Sequence, residues 1–391
     1  MKALLLFALI TTGFLKANAQ NRLDGILEKI EQNNTTLAVL RAETDAEKTG
    51  NKTGLLPSNP KAEFNYLWGN PSAIGNRTDF SIIQSFDFPT AYTYRSQIST
   101  LKNEQAELEY LKQRNELFNE ARMRVAGLAY RNSLLAEYSK RLQHAEQIAT
   151  NYQKMLEVGE GNILDYNKAM VNSLSLLKKM ENLEIERRML LSELERLNGG
   201  NALEYNDSMA AELPLITDFE QWAEQAATKN PALLKLKQEV AVAEKQARLN
   251  KALSLPRFQA GYMSEEVLGE HFKGITAGVS IPLWENKNTV KYARAKAEAA
   301  ASREADARFQ IYNEMKNLHQ KAVALQNSAL EYHDRLQDFS NRTLLDKALA
   351  AGQISLTEYL LELTVYYQSM DNLLGMKYDA LFAWYMLQRY Y

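Results

Sequence analysis

The chain has 391 residues, with 46 Lys+Arg against 48 Asp+Glu and a formal net charge of −2. That balance excludes a strongly basic nucleic-acid binder, and 24% charged residues is too polar for a bundle of membrane-spanning helices. With no cysteine there is no disulfide framework, thiolate metal site, iron–sulfur cluster or cysteine nucleophile, and four histidines (His144, His271, His319, His333) leave little for a zinc enzyme.

In chain order, Met1-Lys2 is a short positive segment, Leu4 to Leu15 is mostly apolar, and Ala17-Asn18-Ala19 is a small-x-small cleavage site. Residues 1–19 therefore read as a secretory signal removed before Gln20. Beyond it no run of about 18 apolar residues occurs, so an exported chain without a spanning helix is expected.

All eight prolines lie outside residues 90–213 and 283–391. A proline inside a helix costs about 3 kcal/mol, so both stretches are free to form long helices. Their apolar residues recur every seven positions: Leu128, Leu135, Leu142, Ala149 and Leu156, then Ala169, Leu176, Leu183, Leu190 and Leu197. Such spacing predicts coiled-coil packing. Gly159 and Gly161 interrupt the first stretch, Gly199-Gly200 closes its returning helix, and Gly352 interrupts the second.

The chain also repeats itself. A shift of 196 places Asn34 on Asn230, Pro60 on Pro256 and Tyr66 on Tyr262. A shift of 193 places Gly159 on Gly352, Asp165 on Glu358 and Tyr166 on Tyr359. The expected first repeat, 20–213, holds a helix, a β-hairpin about 60–88, a long helix 90–158, a returning helix 162–198 and a linker 199–213. The second, 214–391, holds a helix 218–255, a hairpin about 256–284, a long helix 285–351 and a returning helix 355–390.

Each hairpin alternates apolar and polar residues with period two, giving strands with one oily and one polar face. At about nine to twelve residues, such strands match a tilted crossing of a bilayer. Tyr66, Trp68, Phe86, Phe88, Phe258, Tyr262 and Trp284 form a candidate aromatic belt; Glu63, Asp87 and Gln259 fall on the opposite, lumen-facing row. Four strands cannot close a barrel, and an open edge in lipid leaves backbone groups unpaired. The pattern therefore predicts several copies, each donating four strands.

This order of signal, helix, hairpin, long helix, glycine turn and returning helix, then the set again, resembles the TolC-type outer-membrane efflux protein family over about residues 22–390. Ser280-Ile281-Pro282-Leu283-Trp284-Glu285-Asn286-Lys287-Asn288 looks like the family's strand end and polar turn. Gln84-Ser85-Phe86-Asp87-Phe88-Pro89, with Arg95 downstream, is similar to the CzcC-like, metal-cation branch; Thr90-Ala91 stands where that branch often has a glycine-basic pair. The resemblance implies a mostly α fold with a small β part: long coiled-coil helices of a periplasmic α-barrel, and four strands per chain of a trimeric, twelve-stranded outer-membrane β-barrel. It implies a homotrimer in outer-membrane lipid, a periplasmic adaptor (membrane fusion) protein and an inner-membrane pump, often proton-driven. It implies neither enzymatic activity nor a cofactor. The expected role is a passive exit duct, with metal cations, drugs or secreted polypeptides as cargo. A soluble periplasmic coiled-coil scaffold is the rival reading.

By the same resemblance the glycine turns form the periplasmic tip, where an adaptor docks and the entrance closes. Gly159, Gly161 and Gly352 would permit the reversals. Asn162 with Asp165, and Ser355 with Glu358, read as capping boxes of the returning helices. Repeated around a trimer, the two acids would also form a cation-favouring ring. Glu265, Glu266, Glu270 and His271 lie in a predicted loop that reads as a solvated acidic segment. His144, His319 and His333 fall on predicted helices at no ligand spacing.

Overall fold

The computed structural model of the chain describes residues 22–210, 213–214, 216–338 and 342–391. The proposed signal and its cleavage site lie outside the described residues. Helices α1 (22–33) and α2 (Thr35–Gly50) precede strands β1 (Lys61–Leu67) and β2 (Arg77–Phe86). Then come α3 (Pro89–Glu157), α4 (Ile163–Leu197), α5 (Phe219–Lys229), α6 (Pro231–Leu253), β3 (Arg257–Val267), β4 (Glu270–Ser280), α7 (Thr289–Asp338), α8 (Arg342–Ala350) and α9 (Leu356–Gln388). At about 1.5 Å per residue, the 69-residue α3 is about 100 Å long. Among the described residues no helix is long and apolar enough to cross a membrane.

Several boundaries depart from the sequence expectation. The single helix 218–255 is two helices, divided at Asn230. Asn230 accepts from the backbone N–H groups of Ala232 and Leu233, and Pro231, which has no N–H to lose, occupies the first turn. The repeat-related Asn34 divides α1 from α2 in the same way, accepting from Leu37 at 2.8 Å. β1 has only seven residues, and Trp68 lies beyond its end. β4 stops at Ser280, so Trp284 sits in the connection to α7, as Pro282 cannot donate to a ladder. The predicted helix 285–351 appears as α7 and α8, with residues 339–341 between them outside the described set.

The four strands form one antiparallel sheet in the order β1-β2-β3-β4, so the hairpins of the two repeats pair directly through β2 and β3. The chain divides into two compact units, and each draws on both repeats. One unit (Val39–Gln113 and Ala227–Ile311) holds the sheet. Beside it α3 and α6 bury Ala91, Ile98, Leu249 and Ala252, and Glu107 of α3 accepts from Arg41 and Lys48 of α2. The other unit (up to Ala38, Arg114–Ala226 and Tyr312–Tyr391) holds both glycine turns. There Leu134 and Tyr138 of α3 pack on Leu183 of α4, with Leu135 and Leu176 against them; Leu135, Leu176 and Leu183 are members of the predicted seven-residue rows.

Candidate functional site

The register assigns every strand residue to a face. Phe64, Phe80 and Ser264 pair across the sheet, as do Ala62, Ile82, Tyr262 and Ile275, and then Phe86, Phe258 and Val279. From its middle to its helix-proximal end this face is mostly apolar and open, with Phe64 65% exposed and Ile275 91%; Gln84 interrupts it, and its far end carries Lys273, Glu266 and His271. Isolated exposed apolar residues are ordinary, but a contiguous apolar face marks a surface that something else covers. The opposite face carries Glu63, Ser81 and Met263 in one row, Asn65, Asp79 and Glu265 in the next, and Ser85 with Gln259 further along. Charges there are paired: Arg77 contacts Asp79 at 2.7 Å and Glu265 at 3.1 Å, and Glu63 meets Lys61.

The aromatic residues gather at two levels. Tyr66 and Trp68 meet edge to face with centroids 5.7 Å apart, near the β1–β2 connection. Phe88 and Phe258 lie 6.4 Å apart at the helix-proximal end, beside Phe86. Tyr66 pairs with Thr78, eight residues along β2 from Phe86, or about 27 Å along the strand. A tilt of about 40° reduces that to about 21 Å of height, close to the apolar band of a membrane barrel. Tyr262 stands between the levels, on the apolar face.

Asp87 lies at the end of the sheet and is held by ion pairs. β2 ends before it, and its carboxylate takes Arg95 Nη2 at 2.5 Å and Arg257 Nε at 3.5 Å, while its N–H donates to the Tyr92 hydroxyl. It pins the end of β2 to the start of α3 and to β3. The residues that the resemblance singled out, Asp87 and Arg95, are thus two ends of one ion pair.

The two glycine turns are one motif used twice. Gly159 (φ +79°) and Gly352 (φ +66°) adopt the left-handed conformation that ends a helix. Glu160 N–H donates to Met155 C=O at 2.9 Å, and Gln353 N–H donates to Ala348 C=O at 2.9 Å, which is the same bond shifted by 193 residues. At Gly161 a Cβ would stand 2.6 Å from the Leu156 nitrogen, so only glycine fits. After the turns the copies differ. Ser355 Oγ accepts from Glu358 N–H, while the Glu358 carboxylate accepts from Ser355 N–H at 2.8 Å, a complete capping box. Those bonds hold the Glu358 carboxyl below its usual range. Asn162 caps α4 through Leu164 N–H, but Asp165 does not close the expected box and pairs with Lys168 at 3.3 Å. Aspartate is one methylene shorter than glutamate, which limits its reach back to the cap. Lys168 also donates to Thr357 Oγ1 at 3.0 Å, tying the start of α4 to the start of α9.

Below the turns, Ile148 and Ala149 of α3, Ala169 of α4, and Leu356, Tyr359 and Leu363 of α9 form one buried cluster, with Leu345 and Leu349 of α8 against it. One polar group is set into it: His144 Nε2 lies 3.2 Å from the Tyr359 hydroxyl, which donates to Asp346. Further along α3, the Arg141 side chain, 2% exposed, is sandwiched between the Tyr138 and Tyr367 rings at 4.6 and 4.5 Å. Arg141 Nη2 stands 2.9 Å from Asp371, off the hydrogen-bonding axis, and Tyr138 donates to Asp371 at 2.8 Å. Sequence spacing offered no sign of either cluster, because each joins residues more than 200 positions apart. Among the described residues no group of three or more His, Cys, Asp and Glu is placed to hold a metal ion; His271 and Glu266 are 3.6 Å apart, as a pair.

No protein-family model and no curated protein matches the chain. Solved structures do. The outer-membrane protein VceC of Vibrio cholerae is similar over 95% of this chain and 95% of its own, at 13% identity and a TM-score of 0.76. CusC, described by its transmembrane channel formation, is similar over 94% and 92%, at 13% identity and 0.76. The Campylobacter jejuni CmeC outer membrane channel is similar over 94% and 85%, at 14% identity and 0.72. The chain therefore has the fold of one protomer of a TolC-type channel: helices for an α-barrel and four strands of a larger β-barrel.

Proposed function

We propose that this protein is the outer-membrane component of a tripartite efflux system, a homotrimer with its strands in outer-membrane lipid and its helices in the periplasm. An inner-membrane pump does the work, and a periplasmic adaptor meets the glycine turns. The carrying observation is the open four-stranded sheet, one face apolar and exposed, the other lined with paired charges, with both outer edges unpaired by the described residues. In lipid each unpaired backbone group costs several kcal/mol; three copies joined β4 to β1 remove every edge. The protein then needs no catalytic group, since it offers a water-filled path of suitable width. Among cargoes, metal cations are supported by the residues around Asp87 and Arg95 that resemble the CzcC-like branch, and by Asp165 and Glu358, six carboxylates near the entrance of a trimer.

Purified protein in planar bilayers should give a steady, cation-favouring conductance; a well-folded trimer that conducts nothing would refute the duct. The rival scaffold reading explains the helices but leaves the apolar sheet face uncovered. Carbonate washing separates the two, because a scaffold would leave the outer membrane and a barrel would stay.

A further inference from the structure

Of the histidines without ligand spacing, one is built into the packing beside the second turn. We propose that His144, Asp346 and Tyr359 form a proton-responsive latch that holds α8 against α3 and α9, and that acidification releases it.

The geometry sets the hydrogen-bond order. The Tyr359 hydroxyl has one proton and donates it to Asp346, so the Nε2 of a neutral His144, 3.2 Å away, is the donor to Tyr359. The relay runs from α3 through α9 to α8. Tyr359 is 1% exposed, and the His144 ring meets its edge at 6.2 Å. α8 has nine residues, too few to persist as a helix without packing. Its hold is Leu345 and Leu349 on the buried cluster, together with Asp346 in the relay.

A second proton on His144 enters Nδ1, which makes no hydrogen bond to the described residues. The facing groups are Arg342 and Asp346 from α8, and Tyr359 from α9; Arg141 follows one turn along α3, and Glu137 and Tyr367 about two turns along their helices. Burial is the larger opposition to the charged ring, and the Arg342 cation adds to it; Asp346 favours the charge but is already engaged by Tyr359. The pKa in the packed state is accordingly below the ordinary 6.5. For a base depressed in this way, the packing is fully favoured while the ring is neutral in both states, above about pH 6.5. It is lost progressively as the pH falls through that value, because the released form binds the proton first.

The test is hydrogen exchange of the α8 amides in the purified full chain at about pH 7.5 and about pH 5.5, corrected for the intrinsic pH dependence of exchange. Acid should raise corrected exchange there by about threefold or more, since each unit of pKa displacement is worth up to about tenfold in the opening equilibrium. His144→Gln should abolish the pH response, whereas His333→Gln, a half-buried residue of α7 outside the relay, should leave it. Equal exchange at both pH values, or a response that survives His144→Gln, overturns the latch. Should that variant misfold, a titration of His144 itself decides, and a value at or above 6.5 sinks the proposal. These readouts do not depend on conductance, so the duct and the latch fail separately.

Discussion

At the scale of single residues, backbone reversal decides more than charge. Gly352 holds a conformation that an L side chain adopts only at about 1–2 kcal/mol. Its surroundings are open, so Gly352→Ala should lower stability by about that amount and no more. Gly161→Ala should cost clearly more, because its Cβ would strike the Leu156 backbone. Thermal melting of both variants in detergent checks the order, and equal shifts would contradict the account. Both glycines were legible in the sequence as breaks in a seven-residue rhythm. The unequal caps after them were not, since the difference between Asp165 and Glu358 is one methylene of reach.

At the scale of elements, the sheet's two faces make opposite demands on neighbouring positions. Ile275 points to the apolar face and Thr276 to the polar one. A lysine near the middle of a lipid-facing strand costs about 2–4 kcal/mol, while a lumen position tolerates it. On the proposed lipid-facing assignment, Ile275→Lys should therefore deplete the trimer recovered in mild detergent, and Thr276→Lys should leave it. The reverse result would invert the sheet. The alternation was readable in the sequence because the strand period is two. The strand ends were misjudged, because Phe88 and Trp284 continue the apolar pattern after Asp87 and Pro282 have left the ladder.

At the scale of the whole molecule, the proposed assembly follows from the two strand edges that the described residues leave unpaired. In the proposed outer-membrane setting, four strands with two open edges leave backbone groups unpaired in lipid, and copies of the same chain are what would seal them. The mass of the purified protein in a mild detergent, corrected for bound detergent, should be close to three chains. A homogeneous monomer with the sheet intact would count against the barrel.

The sequence by itself determined the periodicities: long proline-free heptad helices, four alternating strands, two glycine turns and an internal duplication. Each follows from local geometry, in which side-chain spacing mirrors the pitch of the element. Only the tertiary structure decided which partners meet. Asp87 turned out to be bound by Arg95 and Arg257, Lys168 to reach Thr357, and His144 to stand against Tyr359 and Asp346. Such contacts join residues far apart in the chain, and their energies depend on distance and burial in space, which no spacing along a polypeptide encodes.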